Sequence, residues 1–308
     1  MTVAFISHPD CEKHEISPNH PERPQRLAAI MDRMIASGID GRLQHQQAPQ
    51  ATRDQLLRVH DSSYVDLIYA NIPEQGCVWL DGDTAMNPHT VDAALRAAGA
   101  VVHGVDLVMA RDVNAAFCSI RPPGHHAERN RAMGFCIFDN IAVGAAHALS
   151  EHGLEHIAIV DFDVHHGNGT EDIFRNESRV LFCSSFQHPF YPGTGADTVS
   201  DHIINIPLPA GTGSEEYRAA VEAHWLQPLD DFRPELILFS AGFDAHAEDP
   251  LAQLELVEAD YAWITAQVKR VADRHADGRI VSTLEGGYNL SALGRSVVAH
   301  IEALIGNE

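Results

Sequence analysis

The stretch "IVDFDVHHGNG", Ile159–Gly169, decides how this chain is read. An apolar run, His156–Phe162, ends in two aspartates and two histidines packed into the six positions Asp161–His166. The same pattern recurs along the chain. Other β-type apolar runs are Val3–Ile6, Ala115–Cys118, Val180–Ser184, Glu235–Ser240 and Arg279–Leu284. Helical patterns fall between many of them, at Val91–Met109, Ile141–His152, Glu215–Trp225 and Val257–Arg274. Strands alternating with helices predict parallel strands joined by helical crossovers. Near-continuous apolar strands predict a central sheet covered on both faces.

In open α/β sheets, ligands bind outside the carboxyl ends of the strands. Four loops in that position carry chemistry: "SIRPPGHHAE", "VDFDVHHGNG", "SAGFDAHAEDP" and "TLEGGYNL". They are distant in sequence, and a parallel sheet brings them to one edge. With His156–His166 taken as a strand running into a loop, Asp161, Asp163 and His165 fall on one side. Asp163 and His165 can then offer an oxygen and a nitrogen to one ion. A catalytic zinc site needs three protein ligands and an open position. Asp244, after another buried run, is the best third candidate. Two carboxylates with one imidazole form a harder site than three histidines, which suits Zn²⁺ or Fe²⁺.

His125 and His126 follow a rigid Pro-Pro-Gly and titrate near neutrality, which suits general acid–base work. Asp161, left over from the metal set, can orient one of the rings. Tyr288 lies behind Gly286 and Gly287, where its hydroxyl can donate to an oxyanion. Each feature also has a plainer reading: polar strand ends, turn residues or a structural Gly-Gly-Tyr turn.

The bulk properties narrow the partners. The chain has 308 residues and is 45% hydrophobic, enough for one large α/β domain or two smaller ones. A net charge of −22 argues against a nucleic-acid partner and favours cationic ligands, although it also serves solubility. No apolar run approaches ~18 residues, so no membrane span is expected. The start, "MTVAFISHPD", lacks a signal-peptide pattern, and a cytoplasmic location is expected. Five cysteines, at 11, 77, 118, 136 and 183, show no Cys-x-x-Cys pair, so disulfides or a zinc ribbon are not expected. Cys118 and Cys183 sit in apolar runs and read as buried free thiols.

Taken together, "HPERPQRL", "VHDSSYVDLI", "RPPGHHA", "GFCIFDNIAVGA", "VDFDVHHGNGTED", "FYPGTG", "SAGFDAHAEDPL" and "EGGYNL" resemble the histone deacetylase superfamily, in family order over essentially the whole chain. That group includes bacterial acetylpolyamine amidohydrolases and histone deacetylase-like amidohydrolases. The resemblance implies a single catalytic domain over residues 1–308 with the arginase/deacetylase fold, an α/β architecture whose eight-stranded parallel sheet has helices on both faces. It implies zinc ligands Asp163, His165 and Asp244, with His126 as general base and then acid. His125 becomes the second histidine, bonded to Asp161, and Tyr288 polarises the acyl oxygen. Phe135 and Tyr191 wall a narrow tunnel lined by Gly134, and Arg26 lies near an inner product channel. A structural K⁺ is implied at Asp161, Ser185 and backbone oxygens of Asp163, His165 and Phe186.

Three positions sort subgroups. Asn168 stands where class I enzymes carry aspartate, and Glu285 where they carry glycine; both resemble the class II pattern. Leu251 occupies a substrate-facing position where the polyamine-selective class IIb enzyme has glutamate, which disfavours polyamines. The implied substrate is an acetylated lysine peptide or protein, with an acetylpolyamine or small acylated metabolite as the alternative. A binuclear arginase-type ureohydrolase is a remote rival, since His166 stands where a bridging acid would be wanted. An inactive binding protein is another, against which stand Tyr288, both histidines and all three ligands.

Overall fold

The alternation of apolar runs and amphipathic segments folds, in a computed structural model describing residues 2–306, into ten strands and ten α-helices among the described residues. The strands are β1 (Val3–Ser7), β2 (Leu43–Gln47), β3 (Val78–Trp79), β4 (Ala85–Met86), β5 (Ala115–Cys118), β6 (Ile157–Asp161), β7 (Val180–Gln187), β8 (Ile203–Leu208), β9 (Leu236–Ala241) and β10 (Ile280–Leu284). The helices are α1 (Gln25–Ser37), α2 (Arg53–Leu56), α3 (Ser62–Ala70), α4 (Thr90–Met109), α5 (Asn140–Glu151), α6 (Asn168–Phe174), α7 (Ser214–His224), α8 (Leu226–Phe232), α9 (Glu258–His275) and α10 (Leu290–Ile305). None is long and apolar enough to cross a membrane.

Eight strands form one sheet in the order β2-β1-β5-β10-β9-β6-β7-β8, every neighbouring pair parallel. The short β3–β4 hairpin stands apart. All residues of β5, β6, β9 and β10 are buried, as strands covered on both faces must be. Helix α4 packs on α5, while α10 packs on both α9 and α1. Local sequence sets the helix ends. Asn289 caps α10 by accepting from the Ala292 amide at 3.0 Å, and Gly38 ends α1 in the left-handed region at φ 77°.

The topology places the site. From β6 the chain moves towards β7, and from β9 it moves the other way, towards β10. The loops leaving β6 and β9 therefore diverge and open a crevice between them, the usual ligand position in such sheets. The register levels the strand ends: Asp161 pairs with Ser240, Thr283 with Ser240, and Thr283 with Cys118. Four adjacent strands, β5, β10, β9 and β6, thus deliver the four chemistry-bearing loops to one edge.

The six strands read from apolar runs are all present, to within two or three residues. Both edge strands escape that reading, for a physical reason. β2 is the polar "LQHQQ", and β8 contains Asn205 and Pro207. An edge strand needs no continuous apolar face and tolerates proline, because one row of its amides bonds nothing in the sheet. Asp161 also ends β6, so the strand alternation does not run on to His165. In its place the loop is built from side-chain-to-backbone bonds: Asp161 Oδ1 accepts from the Asp163 amide at 3.1 Å, and Asp163 Oδ1 from the His165 amide at 2.8 Å.

Two histidines far from any strand end are buried in this framework. His300 lies between Thr265 Oγ1 at 2.6 Å and Ser282 Oγ at 2.8 Å, and His60 accepts from the Asp139 amide at 3.0 Å. Burial lowers His60 to about 4 and His300 to about 3 from the ordinary 6.5. Between those values the unfolded chain binds more protons, so stability is intact above pH ~6.5 and falls as pH falls, by about 1.4 kcal/mol per pH unit for each histidine. Urea unfolding at pH 7 and pH 5 is expected to show this loss, and His300→Gln to lessen it by about 2 kcal/mol. An unchanged pH dependence in the variant would contradict the assignment.

Candidate active site

The loop after β6 and the loop after β9 meet in a group of three donors, two buried carboxylates and a half-buried imidazole. Asp163, His165 and Asp244 each place a ligand atom within 4.8 Å of the others. His165 Nδ1 faces Asp163 Oδ1 at 3.1 Å and Asp244 Oδ2 at 3.3 Å. The second oxygen of each carboxylate is held by backbone: Asp163 Oδ2 accepts from the Gly286 amide at 2.8 Å, and Asp244 Oδ1 from the Val164 amide at 2.9 Å. Asp244 Oδ2 is buried and has no hydrogen-bond partner. Burial and the nearby Asp163 charge push Asp244 above the usual carboxylate range. Two buried carboxylates and an imidazole around an unpartnered oxygen fit a divalent cation, which would relieve both the repulsion and the unmet acceptor.

Glycine is required around these carboxylates by close approach. A Cβ on Gly242 would stand 1.9 Å from Asp163 Oδ2, and one on Gly286 would stand 2.0 Å from Asp244 Oδ2. His166, the fourth ionisable group of the opening stretch, turns away. Its ring bonds Glu171 Oε2 and Thr194 Oγ1, both at 2.8 Å.

The loop after β5 sets two histidines beside this group, their ring centroids 4.1 Å apart. His125 Nδ1 bonds Asp161 Oδ2 at 2.8 Å. Burial opposes its charge, but the carboxylates of Asp161 and Asp163 outweigh burial and hold His125 well above 6.5. His126 differs. Burial, with repulsion from His125 and His165, holds it well below 6.5. Its Nδ1 lies 2.7 Å from Asn168 Oδ1, while Asn168 Nδ2 donates to Glu128 Oε1 at 2.8 Å. The Glu128 carboxylate can only accept, so it fixes the Asn168 amide with its oxygen towards His126. His126 therefore carries its proton on Nδ1 and keeps a lone pair on Nε2, the form of a general base.

The loop after β10 brings Tyr288, 8% exposed, to the same place. Burial raises its hydroxyl well above 10, so it remains a donor. Arg26, fully buried, lies under the Tyr288 ring at 5.1 Å and donates to the Gly287 carbonyl at 2.7 Å. Phe135 meets the Tyr288 ring edge-on at 6.0 Å, and Tyr191 meets His126 edge-on at 5.3 Å. Gly134 packs against His126, where an added Cβ would fall 2.3 Å from the ring. Phe135 itself adopts φ 68°, strained for a bulky residue and of the kind found at functional sites. Tyr191 is 37% exposed. Leu251 is half-buried on the loop after β9. Ser185 and Phe186 are buried in β7, whose register pairs Ser184 with Asp161.

Several contributors act through backbone amides and left no signal in the sequence. Asp83 Oδ1 and Thr84 Oγ1 accept from the amides of Gly134 (3.2 Å) and Phe135 (3.0 Å). Asp249 accepts from the amides of Tyr288 (2.7 Å), Asn289 (3.2 Å) and Leu251 (3.0 Å). His20 packs edge-on against Phe135 at 4.7 Å. A second cluster, Asp106, His147 and His152, also gathers donors within 4.8 Å. There Arg58, which can only donate, faces His147 Nδ1 at 3.1 Å; this leaves the proton on Nε2, where a metal would need the lone pair.

The histone deacetylase domain model matches residues 20–304. This chain belongs to the histone deacetylase family. It is similar to a histone deacetylase-like amidohydrolase of Pseudomonas aeruginosa, 38% identical over 93% of this chain and 76% of that protein. It is also similar to the polyamine deacetylase HDAC10 of Homo sapiens, 35% identical over 100% of this chain and 48% of that protein. The crystal structure of the HDA15 HD domain superposes with a TM-score of 0.94 at 34% identity, covering 99% of this chain and 90% of the other. The family member described here is a hydrolase of the deacetylase and amidohydrolase kind.

Because Gly286 abuts both carboxylates, Gly286→Ala is expected to weaken divalent-metal affinity by ~10–100-fold, as loss of ligand support does. Competition against a chromophoric chelator measures this, and unchanged affinity would speak against a metal held by Asp163 and Asp244.

Proposed function

We propose that this histone deacetylase-family chain, as one catalytic domain, is a zinc-dependent deacetylase that removes acetyl or short acyl groups from N-acylated amines, acetyl-lysine side chains foremost. The observation that carries this reading is the Asp163–His165–Asp244 group with its buried unpartnered oxygen beside a neutral His126. Zn²⁺ suits these donors, and Fe²⁺ is compatible with them. When bound, the ion supplies Lewis acidity and lowers the pKa of water towards ~7.

The chain's own residues supply the rest. Phe135 and Tyr191 grip the aliphatic stem of the substrate and exclude water from the amide. The Tyr288 hydroxyl donates to the acyl oxygen as negative charge develops there. His126 Nε2 takes the proton of the attacking water and returns it to the nitrogen of the breaking C–N bond, giving acetate and a free amine. His125, paired with Asp161, stays protonated beside it and steadies the developing charge. A K⁺ at Asp161, Ser185 and the backbone oxygens of Asp163, His165 and Phe186 belongs to the same reading, supported by the burial of both side chains on adjacent strands.

Leu251 offers no charge to a second substrate amine, which favours lysine peptides over polyamines. With Zn²⁺ bound, kcat/KM for an acetyl-lysine peptide is expected to exceed that for acetylputrescine and acetylspermidine by a factor of ~100 or more, about 3 kcal/mol of transition-state preference. Faster turnover of the polyamines would reverse the substrate assignment. Tyr288→Phe is expected to lower kcat by ~10²–10³; a variant as active as the parent would remove Tyr288 from its role.

A further inference from the structure

Glu285 is the first residue after β10 and is fully buried, yet it takes no part in the chemistry above. Its bonds reach three different loops. The carboxylate Oε2 accepts from the amides of Gly124, at 2.7 Å, and His125, at 3.2 Å. The Glu285 amide donates to the Ala241 carbonyl at 3.0 Å, at the end of β9 that leads to Asp244. Its own carbonyl accepts from Arg26 Nη2 at 2.5 Å, and the same guanidinium holds the Gly287 carbonyl.

We propose that Glu285 is a positioning residue that locks the His125–His126 turn against the Gly286–Tyr288 turn, so that general base and oxyanion donor face the same carbonyl. This rests on the deacetylase reading. Helix α6 holds the opposite side of this turn, where the His125 carbonyl accepts from the Gly169 amide at 3.0 Å and the Thr170 amide at 3.3 Å, so Glu285 is its side-chain tie to β10. A Cβ on Gly124 would stand 2.5 Å from the Asn140 amide, so the Gly124 backbone is pressed inward and its amide bonds only this carboxyl among the described residues. Without Glu285 two buried amides lose their acceptor, and the turn that aims both histidines loses its tie to β10.

Burial raises the Glu285 carboxyl to about 8, against the pull of the His125 charge, and Oε1 has no partner. A neutral carboxyl that accepts through one oxygen has a close mimic in glutamine, which makes a discriminating comparison. Glu285→Gln keeps the acceptor. Glu285→Met keeps the bulk and loses it, with Glu285→Ala as the second choice if Met does not fold. Each would be loaded with Zn²⁺ and assayed on an acetyl-lysine peptide, alongside amide hydrogen exchange of the metal-free proteins across residues 123–127.

Loss of the acceptor is expected to lower kcat by ~10²-fold, as a small misplacement of catalytic groups does, with KM nearly unchanged. Exchange at Gly124 and His125 should accelerate in the same variants. Glutamine should restore both kcat and protection. Full kcat with protected amides in Glu285→Met would overturn the proposal, as would glutamine proving as damaging as methionine. Should the parent hydrolyse no acetyl amide, the deacetylase reading falls alone: exchange still judges the anchoring, supported if protection is lost in Met and kept in Gln, and overturned if it is the same in all three.

Discussion

Everything at the catalytic edge answers to one electrostatic constraint: two buried carboxylates, Asp163 and Asp244, held beside each other and an imidazole. Like charges do not stay together in a low-dielectric interior unless the backbone leaves them no alternative and something compensates them. Here the β6–β9 register sets their strands side by side, and the amides of Gly286 and Val164 take one oxygen from each. The glycines at 242 and 286 follow from this, because no side chain fits against carboxylates at that distance.

The same constraint separates the two histidines. They are adjacent in sequence and equally buried, yet their surroundings drive them apart. His125 faces the acids and holds its proton, while His126 faces an amide and gives it up. The difference comes from partners on two other segments, Asp161 at the end of β6 and Asn168 at the start of α6. One turn thereby offers an acid-like and a base-like group side by side, the division of labour that environment imposes on paired titratable groups.

Much of this was legible in the sequence. Apolar runs ending abruptly in Asp, His and Gly marked the four loops, and the inner strands declared themselves because strands buried on both faces must be apolar throughout. The Gly-Gly-Tyr turn by itself offered Tyr288 as a donor beside a plainer structural reading, whereas the parts given to Phe135 and Tyr191 came from resemblance, since nothing in "GFCIFDN" or "FYPGTG" says what the ring faces. What stayed hidden falls into two physical kinds. β2 and β8 lie at sheet edges, where polar residues and proline are tolerated. Asp83, Thr84, Asp249 and Glu285 act by accepting from backbone amides of distant loops, and a backbone amide has no identity in a sequence. Periodicity also misled in one detail: Asp161 and Asp163 are related by a turn rather than by strand alternation, which is why they serve different partners.

The two sheet edges have a further meaning. Pro207 removes an amide from β8, and β2 presents a row of glutamines and histidine in place of an apolar ribbon. The proline makes the β8 margin a poor template for an added strand, while β2, polar but uncharged, keeps an edge that a further strand can pair with.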